Sequence, residues 1–285
     1  MFAKGLPVHI TGGMEIHVKE LAEGLVRRGH KITIITTRHP KGIEKEETNL
    51  KIYYVGDKPL KYTTKEFREE SVKLFLKLNE EENFDLVHSQ SGAGVWYALK
   101  CKKIVPLIIT FHGIALNEAK SLWNTGLIGW GKGMYILVRG FINYHVFNHK
   151  LFFERAGKII AVSNKLAEDI KRQYKVPEVD YAYSMNGFSF SLVVLESLAL
   201  GTIVVAYNIP AIREVYGGIS AVYTVQEGDI KSMAEETIKV LRMSENEYRD
   251  KHENPKTKSF LKLHSSWESV AKTEIEEIKN FVKSA

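Results

Sequence analysis

The sequence has one cysteine, Cys101, among 285 residues. That excludes an internal disulfide framework and any metal site built on several thiolates. The thiol follows a helix expected before Pro106 and reads as inert, in keeping with a reducing, cytoplasmic setting. There is no zinc-finger spacing, no aromatic RNA-binding motif and no long basic run, so nucleic acid is not an expected partner. No uninterrupted apolar run reaches the ~20 residues of a membrane-spanning helix. The nearest, LIGWGKGMYILVRGFINYHVF at 127–147, is interrupted by Lys132, Arg139 and several glycines. It reads as a core helix or as one lying in a membrane surface. The opening MFAKGLPVHITGG is too short and too broken by Gly and Pro for a secretory leader. Little before Gly12 reads as a buried strand, so the first strand of a wound sheet is expected to be absent. A Gly-x-Gly-x-x-Gly turn is missing too, which ranks a dinucleotide-dependent enzyme last.

What is present is a soluble, globular composition, 44% hydrophobic and 26% charged, long enough for one large domain or two ordinary ones. The net charge of +6 favours anionic partners such as nucleotides, phosphates and anionic headgroups. Apolar spacing predicts a helix over 12–30, stopped by Gly29, then strands at KITIITT and KIYYV. A helix follows at TKEFREESVKLFLKLNEEE, with Phe67, Val72, Phe75 and Leu76 inward. Strands at FDLVHS, VPLIITFHG and GKIIAVS alternate with helices. A long aromatic helical region is expected over Ser121–Phe153. Strands apolar on both faces, alternating with helices, indicate a parallel α/β sheet, doubly wound by right-handed crossovers. After KVPEVD a second, thinner unit begins: a helix to Leu200, strand TIVVA, a short helix near Pro210, strand SAVYTV and a helix over 229–242. A polar stretch, SENEYRDKHENPKTKS, leads to a last helix. The expected boundaries are 1–178 for an N-terminal Rossmann-like domain and 179–285 for an incomplete second one.

In such a sheet, ligands meet the carboxyl ends of the strands. His112, in TFHG, directly follows a buried strand. A histidine there can contact substrate near neutral pH, or simply be a satisfied loop residue. His88 and Ser89 lie on the same edge after FDLV. Ser163 reads as a helix cap. His17, on the first turn of the first helix, faces either the cleft or solvent. Gly12 and Gly13 precede that helix, where bare backbone N–H groups can approach an anion. Glu196 is the one carboxylate in the apolar run SFSLVVLESLALGTIVVA. Buried carboxylates need partners, and vicinal ribose hydroxyls would supply them. Arg213 and Glu214 read as a surface ion pair.

Taken in order, GGMEIHVKELAEGLVRRGHKITIITT, FDLVHSQSG, PLIITFHG, AGKIIAVSNKLAEDI, SFSLVVLESLALGTIVVAYNIPAIREV and SSWESVAKTEIEEI resemble the family-four retaining glycosyltransferases of GT-B fold. The resemblance covers most of the chain. It implies two facing Rossmann-like domains and transfer of a sugar from a nucleotide-sugar donor to an acceptor, with retention. It implies no cofactor or metal beyond the nucleotide sugar. Gly12 and Gly13 would approach the donor diphosphate or the acceptor, His112 would lie near the transferred sugar, and Glu196 would hold the donor ribose. His17, His88 and Ser89 are acceptor-side candidates. The acceptor would be a sugar or a lipid-linked sugar, with peripheral association at the inner membrane face. Two departures stand out. Phe188 occupies the place of the family's first acid, eight residues before Glu196. The segment that supplies an Arg and a Lys to the diphosphate has no counterpart between SMNG and FSFSLVVLE. An internal deletion of about a hundred residues in the donor domain accounts for both. The alternative function is an inactive remnant that binds an acceptor, a membrane surface or a partner subunit.

Overall fold

The computed structural model describes residues 1–48, 50–101, 104–123, 127–145, 149–162, 164–176, 180–181, 191–264, 272, 274–276 and 278–280. They fall into two compact units, Met1–Ser184 with Val270–Ala285, and Met185–Ser269.

The first unit holds strands β1 (Thr33–Thr37), β2 (Lys45–Glu47), β3 (Lys51–Val55), β4 (Val87–Gln90), β5 (Leu107–Phe111), β6 (Lys158–Ala161) and β7 (Asp180–Tyr181). Its helices are α1 (Gly13–Arg27), α2 (Lys65–Glu82), α3 (Val95–Lys100), α4 (Ala115–Trp123), α5 (Leu127–His145), α6 (Lys150–Arg155) and α7 (Asn164–Tyr174). Strand order is β2-β3-β1 in one half and β4-β5-β6-β7 in the other, all parallel except β2. The join between the halves corrects the expectation of a missing first strand. Phe2 bridges in parallel to both Ile35 and Ser89. Its N–H donates to the carbonyl of His88 and its own carbonyl accepts from Gln90, while Ala3 donates to Ile35. Residues 1–3 therefore fill the strand position between β1 and β4. Three residues are too few to carry a hydrophobic period, so the sequence pattern does not reveal them.

Every residue of β1, β4, β5 and β6 is buried, as a parallel sheet covered on both faces requires. Val18, Leu21, Ala22 and Leu25 of α1 recur at helical spacing and are all buried. Val18 and Ala22 pack on Ala3, Leu6, Ile34 and Leu50. Burying each of the larger side chains contributes about 1.5–3 kcal/mol. The helix stops where Gly29 takes φ +85°, and its last carbonyls accept from Gly29 and His30. In α2, Phe67 and Phe75 are buried as expected, but Leu76 is exposed and Leu78 is inward instead.

The expected long helical region is divided between separate elements, α4, α5 and α6. Glycines let α5 lie close against α4. A Cβ at Gly133 would fall 2.6 Å from Trp123 Nε1 and 2.9 Å from the Ala119 carbonyl oxygen, and one at Gly140 would fall 3.3 Å from the Ala115 Cβ. Cys101 is a free, buried thiol, its pKa pushed up by burial.

The second unit holds α8 (Leu192–Ala199), β8 (Val204–Tyr207), α9 (Pro210–Tyr216), β9 (Val222–Val225), α10 (Ile230–Leu241), α11 (Glu245–His252) and α12 (Pro255–Leu263). Among the described residues its sheet has two strands, β8 and β9, paired in parallel. Val194, Leu198, Ile203, Ile212, Tyr216 and Ala221 form its core. The polar stretch expected as a connector is helical. Ser244 and Glu247 form a reciprocal capping box at the start of α11, and Asn254 caps α12. The caps nucleate helices that hydrophobic periodicity does not signal.

Candidate active site

Strand parity builds the site. In β4 and β5 the register pairs His88 with Ile108 and Gln90 with Thr110. Side chains two apart share a face, so His88, Gln90, Ile108 and Thr110 look the same way, and His112 continues that row past the end of β5. His17 reaches the same place from the first turns of α1. Glu274 closes it from the far end of the chain. Just after Glu274, Ile275 packs with Leu21 and Leu25, and Ile278 packs on Ile108 and Ile160. These two anchors lay the closing residues across this face of the sheet.

Thr110, Glu274, His88, His17 and Gln90 are almost wholly buried, and His112 is half-buried. The Thr110 hydroxyl donates to Glu274 Oε1 at 2.8 Å. Thr110 Oγ1 also lies 2.8 Å from His88 Nε2. Glu274 Oε1 is 3.5 Å from His88 Nε2, and Oε2 is 3.4 Å from His17 Nε2. Gln90 spans two rings, its amide nitrogen 3.3 Å from His88 Nε2 and its amide oxygen 2.8 Å from His112 Nε2. The His17 and His112 rings meet edge to face at 5.0 Å.

Electrostatics follows from burial. Desolvation pushes His88 down to about 4, against the pull of Glu274. Desolvation, reinforced by the neighbouring His17 ring, pushes His112 down to about 3. Burial alone would raise the Glu274 carboxyl. The contacts with His17, His88 and the Thr110 hydroxyl outweigh it and hold Glu274 at about 2. At neutral pH the cluster is a carboxylate beside neutral His88 and His112 rings. Among the described residues, no group of three or more His, Cys, Asp or Glu side chains is arranged to hold a metal ion.

The structure therefore brings His17, His88 and His112 together. His17 is 2% exposed, so the solvent-facing alternative for it fails. Ser89 points to the opposite face of the sheet. Its hydroxyl donates to the Ser91 carbonyl at 2.7 Å and accepts from the Gly94 N–H at 2.8 Å, which assigns it to holding the turn after β4. Gly12 caps α1 in an extended conformation and Gly13 is the first residue of the helix. The reason for Gly12 is local: a Cβ there would lie 2.5 Å from Glu15 Oε2, because the buried Glu15 side chain folds back over the helix start.

In the second unit the expectation that Glu196 is buried is corrected. Val194 and Leu198 face inward, so Glu196, two residues from each, is exposed on the outer side of α8. Arg213 donates to the Asn208 carbonyl at 3.4 Å rather than pairing with Glu214. Phe188, Ser163 and the SMNG turn lie outside the described residues. Motif spacing alone does not single out Gln90, Thr110 and Glu274 as site residues. Parity with His88 and His112 signals the first two. Nothing distinguishes Glu274 from the other acids of its helix.

Residues 11–188 match the profile of Glycosyltransferase Family 4. The chain belongs to this family. All of the strand-edge site except Glu274 lies inside the matched span. An uncharacterized glycosyltransferase of Methanocaldococcus jannaschii is 23% identical over 189 residues, which are 64% of this chain and 44% of that protein. The chain thus spans less than half the length of that curated relative. Among solved structures, sucrose-phosphate synthase from Thermosynechococcus elongatus superposes with a TM-score of 0.63 at 11% identity, over 100% of this chain and 96% of that one. A glycosyltransferase from Rickettsia africae superposes with a TM-score of 0.55 at 14% identity, over 97% of each chain. At such identities the likeness is one of fold, and the family-four chain has the α/β, parallel-sheet architecture of GT-B glycosyltransferases.

Proposed function

We propose that this family-four chain transfers a sugar from a nucleotide sugar to an acceptor hydroxyl, with retention. The bond from the anomeric carbon to the diphosphate oxygen breaks and a bond to the acceptor oxygen forms; the acceptor's proton leaves with the diphosphate. The observation that carries this reading is the convergence of His17, His88 and His112 at the carboxyl edge of β4 and β5, beside the start of α1. His112, at the strand end and half-buried, is the residue assigned to contact the transferred sugar. The folded-back Glu15 disfavours an anion at the α1 terminus, so Gly12 and Gly13 are assigned to the acceptor rather than to the diphosphate. Glu196, exposed on α8, is available to ribose hydroxyls. The sheet of the second unit, two-stranded among the described residues, and the absent Arg/Lys segment favour a shortened donor domain. Each lost charge contact to the leaving diphosphate costs about 2–4 kcal/mol, so slow turnover is expected. Release of nucleoside diphosphate from pooled UDP-, GDP- and ADP-sugars tests the reading. The wild type should release it slowly, His112→Ala should be slower by about 100-fold or more, and Glu196→Ala should raise KM. No release from any donor would sink it.

The second reading, an acceptor- or membrane-binding protein, is favoured by one observation. Helix α5 turns Gly129, Gly133 and Gly140 towards its packed side, while Leu127, Ile128, Trp130, Tyr135, Val138 and Phe141 are exposed. Lys132 and Arg139 lie along one edge, and the helix has no acidic residue. Among the described residues no helix is long and apolar enough to cross a membrane. An apolar outer face edged by cations suits the surface of an anionic bilayer at the cytoplasmic side, where a lipid-linked acceptor would be presented. Flotation with phosphatidylglycerol vesicles should carry the protein upward, and Lys132→Glu with Arg139→Glu should reduce the floated fraction several-fold. Equal recovery with neutral vesicles would remove the role of charge.

A further inference from the structure

We infer that Glu274 and Gln90 are positioning residues that fix the proton of His112 on Nδ1 and so keep this histidine from acting as a base. The inference deepens the transfer reading and rests on it only for the identity of the substrate.

The chain of reasoning starts from the carboxylate. Ionised, Glu274 can only accept. Thr110 has a single hydroxyl proton, and Glu274 Oε1 takes it at 2.8 Å. The other contact of Thr110 Oγ1, 2.8 Å to His88 Nε2, must then be filled by a proton from the histidine; two lone pairs at that distance would repel. His88 is therefore the Nε2–H tautomer. The Gln90 amide atom 3.3 Å from the same Nε2 must accept or be left facing another donor. An amide exchanges its oxygen and nitrogen by a half-turn at no steric cost, because the two ends have nearly the same shape. The half-turn puts the oxygen towards His88 and the NH2 towards His112. That amide N–H then donates across the 2.8 Å gap to the lone pair of His112 Nε2. With Nε2 occupied as an acceptor, the one proton of the neutral His112 ring sits on Nδ1.

The consequence is chemical. His112 cannot collect the acceptor's proton at Nε2, whose lone pair is in use, nor at Nδ1, which already carries hydrogen. Its strong preference for the neutral form points the same way. Glu274 thus acts on the site from 162 residues away in sequence, through Thr110, His88 and Gln90, without touching the substrate.

Long-range proton–nitrogen NMR spectra of histidine-labelled, full-length protein at pH 7.5 read each ring's tautomer directly. Peaks are assigned by loss in His88→Asn and His112→Asn. The expected result is Nε2–H for His88 and Nδ1–H for His112. Gln90→Glu, which offers only acceptors to both rings, should switch His112 to Nε2–H while leaving His88 unchanged. Glu274→Leu, if it folds, should switch both rings. Finding His112 as Nε2–H, or His88 as Nδ1–H, in the wild type would overturn the inference, as would a His112 signal unmoved in Gln90→Glu. Because the spectra need no turnover, a protein that transfers no sugar can still confirm the tautomers, and an active protein can still refute them.

Discussion

Replacing Glu274 by alanine should destabilise the first unit by about 3–5 kcal/mol, the usual cost of removing one partner from a buried charged cluster. The carboxylate receives the Thr110 hydroxyl and lies within 3.5 Å of both His88 and His17. Removing it takes away the acceptor of the Thr110 hydroxyl and the carboxylate beside His88 and His17, and also removes the polar tie between the closing residues and the strands. Glu274→Gln keeps an oxygen for Thr110 and should recover part of the loss. Three of the four tryptophans, Trp96, Trp123 and Trp130, belong to the first unit, so tryptophan fluorescence in urea of a Trp267→Phe background follows its unfolding. A change in stability below about 1 kcal/mol would show that the cluster is hydrated or loosely held.

Acid should weaken the fold well above the range in which carboxylates normally titrate. Both His88 and His112 have folded-state values, about 4 and about 3, below their ordinary value. Above pH 6.5 both are neutral, folded or unfolded. As pH falls below 6.5, the unfolded chain takes up their protons and the folded chain does not. Stability then declines by about 1.4 kcal/mol per pH unit for each histidine until the folded values are reached. Glu274 adds its share only below pH 4.5, since its folded value lies near 2. The unfolding free energy from urea titrations at pH 7.5, 6.0 and 5.0 should fall steadily, by several kcal/mol in all. His88→Gln should flatten the lower part of that slope. An unchanged midpoint down to pH 5 would mean the rings are protonated in the fold and that the proton arrangement described above is wrong.

The fold is legible in the sequence wherever burial is two-sided. Strands such as LIITF and KIIA read as apolar runs because helices cover both faces, and the helix over Gly13–Arg27 shows its inner stripe plainly. Elements held by something other than apolar contact are not legible. β2 is an edge strand of Lys-Glu-Glu, and α11 rests on its cap. The central strand position at residues 1–3 is set by hydrogen bonds on both sides rather than by any pattern. The site divides in the same way. His88 and His112 are visible because each follows or ends a buried strand, and parity then points to Gln90 and Thr110. Glu274 is not visible, since its burial depends on a contact 164 residues away. Glu196 misleads as to burial for the opposite reason: it stands in an apolar run, but the helical turn sends Val194 and Leu198 inward and leaves the carboxylate outside.

The central claim is that the carboxyl edge of β4 and β5 is where the sugar substrate binds. Titrating UDP-, GDP- and ADP-sugars in turn into histidine-labelled protein, while following the ring resonances, tests it most directly. The account predicts that at least one donor shifts His112 and His17 together, in a saturable way. If turnover is measured with a donor that moves neither ring, the reaction takes place elsewhere and the assignment of this site is contradicted.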